Sequence, residues 1–153
     1  ANIILGSGFN LYLSGSVMSG KYDSTGLWIA NVPQDMESIG LFYSPDNHWK
    51  LGATLKRVGS MWQDNTKATQ VNQWYKLDPM YLTGLYGTYA FEKAPGMFKS
   101  ARIKLGVDNV FNKIYLTSFT PGSATSYSPG QSMSDMVSFN SGRAFSATLT
   151  VNF

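Results

Sequence analysis

Apolar and polar side chains alternate along several stretches of this 153-residue chain, which predicts strands with one apolar and one polar face. The terminal segment 142–153 places Leu149 and Val151 on one face and Thr148 and Thr150 on the other. Such regular alternation indicates that the two sides of the strand meet different surroundings.

The segment 101–111 alternates in the same way, with Leu105 and Val107 set between Lys104 and Asp108. Because charged side chains recur at every second position, the polar face must be in contact with water. We therefore expect the apolar face to contact lipid and the polar face to line a wet lumen. The expected lipid-facing residues are Leu105, Val107, Leu149 and Val151, and the expected lumen-facing residues are Lys104, Thr148 and Thr150.

Four further strands are predicted upstream, and the connections between all of the strands are of two kinds. The upstream strands are predicted at 9–21, 37–44, 49–62 and 80–91. Short turns are predicted at 44–48, which reads Ser-Pro-Asp-Asn-His, and at 92–100. Long loops are predicted at 22–36, 63–79 and 113–141, the last without a strand period. Long loops outside the cell and short turns in the periplasm are typical of outer-membrane barrels.

The composition favours the same class. Charged residues make up 14% of the chain, against about 25% in typical soluble domains, and aromatic residues make up another 14%. A membrane helix is excluded, because no apolar run approaches the roughly 18 residues that it needs. The absence of Cys excludes disulfides and thiolate metal sites.

The predicted fold is all-β: an antiparallel transmembrane β-barrel segment of about six strands from a larger barrel. Known closed bacterial barrels begin at about eight strands, so either residues up to about 8 form another strand or the chain is the tail of a longer barrel. We prefer the second alternative, that the chain is the tail of a longer barrel. Gly6-Ser7-Gly8 is interpreted as a flexible entry to a strand. The start at Ala1, with neither Met nor a signal sequence, agrees with a missing amino-terminal part.

Two terminal segments resemble the TonB-dependent receptors of the outer membrane. Residues 105–115, LGVDNVFNKIY, are similar to the penultimate strand of that family, except that Asn112 stands where Asp is common. Residues 142–145, GRAF, and the ending TVNF at 150–153 are similar to the last strand. We also expect Phe153 to be the native carboxy terminus and part of the barrel-assembly signal.

The resemblance implies a barrel of about 22 strands filled by a plug domain. It implies import of ferric siderophores, cobalamin, haem or oligosaccharides across the outer membrane, with energy relayed through TonB. Residues 1–153 would then be the carboxy-terminal part of the barrel, without the plug domain and the earlier strands. The expected partners are outer-membrane lipid, the TonB complex and a ferric siderophore or other small ligand, with no cofactor.

The leading functional hypothesis is TonB-coupled uptake of a scarce nutrient such as a ferric siderophore, and the alternative is a passive porin or substrate-specific diffusion channel. Two further hypotheses, an outer-membrane enzyme or adhesin and a soluble lipocalin-like barrel, are less favoured than these two. Catalysis finds no support, because the single histidine, His48, lies in a turn and the carboxylates are dispersed. The scattered Lys and Arg residues predict no nucleic-acid partner.

Ligand-binding candidates are the aromatic residues of the long loops: Trp74, Tyr75 and Trp28. The competing interpretation is an aromatic belt at the outer membrane interface, which we favour except for Trp74 and Tyr75. No metal-binding residues are predicted.

Overall fold

The computed structural model describes residues 1–24, 26–63, 75–91, 99–120 and 136–152. Within these ranges the chain forms strands, and no helix there is long and apolar enough to cross a membrane. The strands are β1 (Asn2–Gly6), β2 (Phe9–Val17), β3 (Asp35–Tyr43), β4 (Trp49–Val58), β5 (Met61–Gln63), β6 (Tyr75–Leu77), β7 (Met80–Phe91), β8 (Ser100–Asp108), β9 (Leu116–Thr120), β10 (Met136–Phe139) and β11 (Ala144–Asn152).

Seven of these strands form one antiparallel sheet in the order β1-β2-β3-β4-β7-β8-β11. The predicted all-β antiparallel fold is confirmed, with one strand more than predicted because Asn2–Gly6 pairs with β2. The described strands leave β1 and β11 at the two edges, so this sheet is open.

The strand connections separate into two ends of the sheet. At the end that we name the turn end, Gly6-Ser7-Gly8 joins β1 to β2 with φ angles of 87°, 49° and 83°. This segment is therefore a tight hairpin turn, and the expectation of a flexible entry is wrong. Ser44 N–H donates to the Gly8 carbonyl at 2.8 Å, and a Cβ on Gly8 would overlap the backbone of Ser44. Only glycine fits here without displacing the next turn.

The predicted tight turn at 44–48 is confirmed, and one carboxylate organises it. Asp46 Oδ1 accepts hydrogen bonds from the backbone N–H groups of Trp49 at 2.7 Å and His48 at 2.8 Å. These hydrogen bonds hold the pKa of Asp46 below its ordinary value, and the bond from Trp49 has the largest effect. Most of the other predicted short turn, residues 92–98, lies outside the described residues.

At the opposite end, which we name the hairpin end, two short hairpins continue the sheet: β5 pairs with β6, and β9 pairs with β10. The expectation that 113–141 contains no strand is therefore wrong. The predicted strand 49–62 is also divided, because β4 ends at Val58 and β5 begins at Met61. Strands of three to five residues are too short to show a period in sequence.

The two faces of the sheet differ in chemistry, and large apolar side chains along one of them are exposed. On β3, Ile39 and Leu41 are 46% and 42% exposed, whereas Phe42 on the other face is half-buried and Gly40 is buried. Register places Leu105, Val107, Leu149 and Val151 on the apolar face and Lys104, Thr148 and Thr150 on the polar face. The predicted partition of these residues is confirmed. A water-soluble sheet turns its apolar side inward instead.

The apolar face has distinct boundaries at its two ends. At the turn end lie two aromatic pairs: the Phe9 and Tyr43 rings are stacked with centroids 4.3 Å apart, and the Trp49 and Tyr89 rings are tilted with centroids 4.6 Å apart. At the hairpin end lies Arg57, ion-paired with Asp35. From Trp49 to Arg57 is about 27 Å along the strand, or about 20 Å in height at a tilt of about 40°. That height suits the apolar band of an outer-membrane barrel.

Candidate functional site

Polar residues are concentrated in two places: the hairpin end and a recess on the polar face near the turn end. The hairpin end contains the buried hydrophobic residues of the described chain, namely Met61, Leu77 and Met80. Val58, Tyr115 and Leu116 pack against them. The two short hairpins thus share one small core, which holds them in fixed positions relative to the sheet.

The chain between β2 and β3 is fastened to β5. Asn31 N–H donates to the Trp62 carbonyl at 2.9 Å, and Gln34 N–H donates to the Ser60 carbonyl at 3.0 Å. The buried Gln63 side chain donates to the Asn31 side chain. This connection is therefore an ordered part of the hairpin end.

Trp28, one of the predicted ligand contacts, lies in that connection. It is half-buried and bridges to Lys21, whose Nζ is 4.5 Å from the Trp28 ring centroid. The Lys21 ammonium occupies one side of the ring, since a cation–π contact requires the cation over the face. Tyr75 begins β6 with its backbone opposite Gln63. Trp74 lies outside the described residues, so its contacts stay a prediction.

Three asparagines hold the base of the β9–β10 hairpin to the sheet. Asn109, which is 6% exposed, donates from Nδ2 to the carbonyls of Lys113 at 2.8 Å and Ser141 at 3.0 Å. Its Oδ1 accepts from Lys113 N–H at 3.0 Å. Asn112 Oδ1 accepts from Arg143 N–H at 2.9 Å, and Asn140 Oδ1 accepts from Tyr115 N–H at 2.6 Å.

These contacts give a physical reason for part of the segment 105–115. Asn109 and Asn112 have φ angles of 50° and 52°, a region that Asn and Asp tolerate better than other non-glycine residues. The bond to Arg143 uses only Oδ1 of Asn112, and Asp carries the same oxygen. Asn112, which stands where Asp is common in TonB-dependent receptors, can therefore accept the same hydrogen bond.

A recess of about 540 Å³ lies on the polar face, and we name it the basic recess. It is lined by three cationic residues, Lys50, Arg102 and Lys104, together with hydroxyl and aromatic residues. No carboxylate is among the lining residues within the described chain. The hydroxyl residues are Ser44, Thr88, Thr148 and Thr150, and His48 lies at its rim.

In the sequence, Arg102 and Lys104 are two charges on the polar face of one strand. The even spacing of these two residues was visible, but their approach to Lys50 depends on the pairing of three strands. Metal binding has no support at either place, because the described residues contain no cluster of three or more His, Cys, Asp or Glu suited to an ion.

The fold matches solved structures of a ferric enterobactin receptor from Pseudomonas aeruginosa. A single-substitution variant matches with a TM-score of 0.71, and a double-substitution variant matches with 0.72, each at 21% identity. A variant in complex with enterobactin also matches with a TM-score of 0.72 at 21% identity. What the chain shares with them is a β-barrel fold.

The similarity covers nearly all of this chain and a small part of the receptor. In each of these structures it spans 99% of this chain and 21% of the other chain. No protein-family description and no curated protein sequence matches the chain. At this identity the β-barrel receptor fold is shared, as the resemblance of residues 105–115 and 142–153 to TonB-dependent receptors predicted.

Proposed function

We propose that the protein is an outer-membrane receptor that imports a ferric siderophore with energy supplied through TonB. The observation that carries the proposal is a sheet with exposed large apolar side chains, such as Ile39, Leu85 and Leu149, along one face. Outer-membrane barrels have this arrangement, because their outer face contacts lipid and their inner face contacts water. The fold likeness to a ferric enterobactin receptor supports the class of ligand.

In this proposal residues 1–153 are the carboxy-terminal part of a barrel of about 22 strands. A plug domain elsewhere in the protein would contact TonB. The share of the receptor that the chain spans, 21%, supports this division. Trp28, Trp74 and Tyr75 are proposed to lie near the ligand, since Trp28 and the start of β6 at Tyr75 are at the hairpin end.

The first test concerns the direction of the sheet in the membrane. Residues 1–153 contain no Cys, so in a full-length protein whose other cysteines are replaced by Ser, Ser24→Cys at the hairpin end and Asn47→Cys at the turn end each introduce a single labelling site. In intact cells an impermeant maleimide should label Ser24→Cys, whereas Asn47→Cys should react only after the outer membrane is opened. Labelling of Asn47→Cys alone in intact cells would reverse the orientation.

The second test concerns transport. Cells that express the full-length protein as their sole siderophore receptor should accumulate radioactive iron from ferric enterobactin, and removal of TonB should reduce accumulation to background. Energised transport needs the coupling complex, whereas a diffusion channel does not.

The control is binding at the cell surface, which should persist when TonB is absent. Accumulation that continues without TonB would favour the passive channel. Accumulation and binding that are both missing in a correctly folded, surface-labelled protein would exclude ferric enterobactin as the ligand.

A further inference from the structure

Three aromatic side chains meet on the apolar face at the turn end, where the pairing of β4 with β7 begins. Trp49 lies opposite Tyr89, and the ring centroids of this pair are 4.6 Å apart. Phe91 meets the Tyr89 ring edge-on, also with centroids 4.6 Å apart. We name these three residues the aromatic cluster. Trp49 is 47% exposed and Phe91 is also exposed, so their ring surface is open to a ligand.

A carboxylate lies beside the aromatic cluster, in the turn that precedes β4. The N–H groups of His48 and Trp49 both donate to Asp46 Oδ1, so the second oxygen, Oδ2, accepts neither of these bonds. The exposed Asp46 carboxylate is thereby fixed three residues before Trp49. His48 lies between the carboxylate and the rings, since its ring centroid is 6.1 Å from that of Tyr89. A negative charge and ring faces both attract a cation.

An apolar groove of about 760 Å³ lies on the other side of the aromatic cluster, toward the middle of the sheet. Register aligns Leu51, Gly87 and Leu105 in one row across three strands. This row is two residues further along β4 than Trp49, a distance of about 7 Å. These three residues and Ala53 line the groove. An apolar groove of this size favours a hydrocarbon chain over water.

The order of these features along the sheet matches the order of groups in an amphiphile. From the turn end inward come the Asp46 carboxylate, the aromatic cluster and the apolar groove. A lipid with a cationic head and hydrocarbon chains presents complementary groups in the same order. We propose that this part of the apolar face binds one phosphatidylethanolamine molecule, with its primary ammonium between Trp49 and Asp46 and an acyl chain in the groove.

The inference rests on the proposed function only in that the apolar face must contact lipid. Aromatic belts lie at the membrane interface of barrels whatever the lipid headgroup is. The Asp46 carboxylate adds a preference for a cation, and a primary ammonium can also donate hydrogen bonds to Oδ2. The site therefore selects one headgroup among lipids that carry the same acyl chains.

Native mass spectrometry of the full-length protein in detergent measures how tightly one added lipid molecule binds. The probes are dioleoyl phosphatidylethanolamine and its N-acetyl derivative, which keeps the acyl chains and the phosphate but has no ammonium. The wild-type protein should bind phosphatidylethanolamine about tenfold more tightly than the N-acetyl lipid. Dioleoyl phosphatidylcholine should bind about threefold more weakly than phosphatidylethanolamine, because its quaternary ammonium donates no hydrogen bond.

Two variants assign the preference to this site. Asp46→Asn keeps the Oδ1 acceptor that organises the turn and removes only the charge, and Trp49→Leu keeps an apolar side chain and removes the ring. Each variant should reduce the tenfold preference over the N-acetyl lipid to about threefold. Asp78→Asn is the matched control, since it removes the same charge at the hairpin end, and it should keep the full preference. Heat-modifiable mobility checks that every variant is folded.

Several outcomes would overturn the proposal. Equal affinity for phosphatidylethanolamine and the N-acetyl lipid would exclude recognition of the ammonium, and equal affinity for phosphatidylcholine would exclude the hydrogen bond to Asp46. A preference that is lost in Asp78→Asn would assign it to net charge, and one that survives in both Asp46→Asn and Trp49→Leu would exclude this place. A folded protein that imports ferric enterobactin without any preference would reject the lipid site and leave the proposed function intact.

Discussion

Replacement of Ala53 by arginine is expected to destabilise the folded protein in a lipid bilayer by about 2–4 kcal/mol. Ala53 lies on the apolar face of β4, opposite Leu41 and Leu85, midway between Trp49 and Arg57. An arginine there would place its charge near the middle of the apolar band, where neither water nor a carboxylate is within reach. The measurement is the free energy of unfolding of full-length protein in phospholipid vesicles.

The matched control is Thr54→Arg, one residue along the same strand on the polar face. Thr54 lines a recess on the polar face together with Lys56 and Asp108. We expect a change within about 0.5 kcal/mol at this surface position. Equal losses for the two variants would mean that the apolar face does not contact lipid.

Asn109→Ala is expected to lower the free energy of unfolding by about 3 kcal/mol, because it removes a buried amide that makes three hydrogen bonds. The carbonyls of Lys113 and Ser141 would lose this partner, as would the Lys113 N–H. Alanine is also unfavourable at a φ of 50°. Denaturant unfolding measures the total loss, and hydrogen exchange at residues 113 and 143 locates it.

Asn112→Asp is the control for this prediction. The Asp side chain keeps the oxygen that accepts from Arg143 N–H, and it tolerates a positive φ. The free energy of unfolding of Asn112→Asp should therefore stay within about 1 kcal/mol of that of the wild-type protein. If Asn109→Ala were as stable as Asn112→Asp, the asparagines would not fasten the hairpin to the sheet.

The two predictions rest on different levels of structure. The position of Ala53 on the apolar face follows from period-two alternation in β4, which the sequence displays between Leu51 and Leu55. The role of Asn109 depends on Ser141, which is 32 residues away in the chain. A pattern within one segment could not reveal that contact.

The sequence by itself determined six of the seven strands of the main sheet, their two faces and the tight turn at 44–48. These features are local: an extended backbone turns successive side chains to opposite sides, and Asp46 bonds only to residues two and three positions ahead. The same locality explains the missed elements. Asn2–Gly6 and the three-residue strands β5 and β6 are too short for alternation to be distinguished from chance.

Only the tertiary structure decided which residues of different strands meet. Lys50, Thr88 and Lys104 form a row because register aligns β4, β7 and β8, and a shift of one residue would turn each side chain to the other face. The shared core of the short hairpins likewise joins Met61, Leu77 and Tyr115 from separate segments. These contacts depend on pairing energies summed over the whole sheet, which no single segment of the sequence contains.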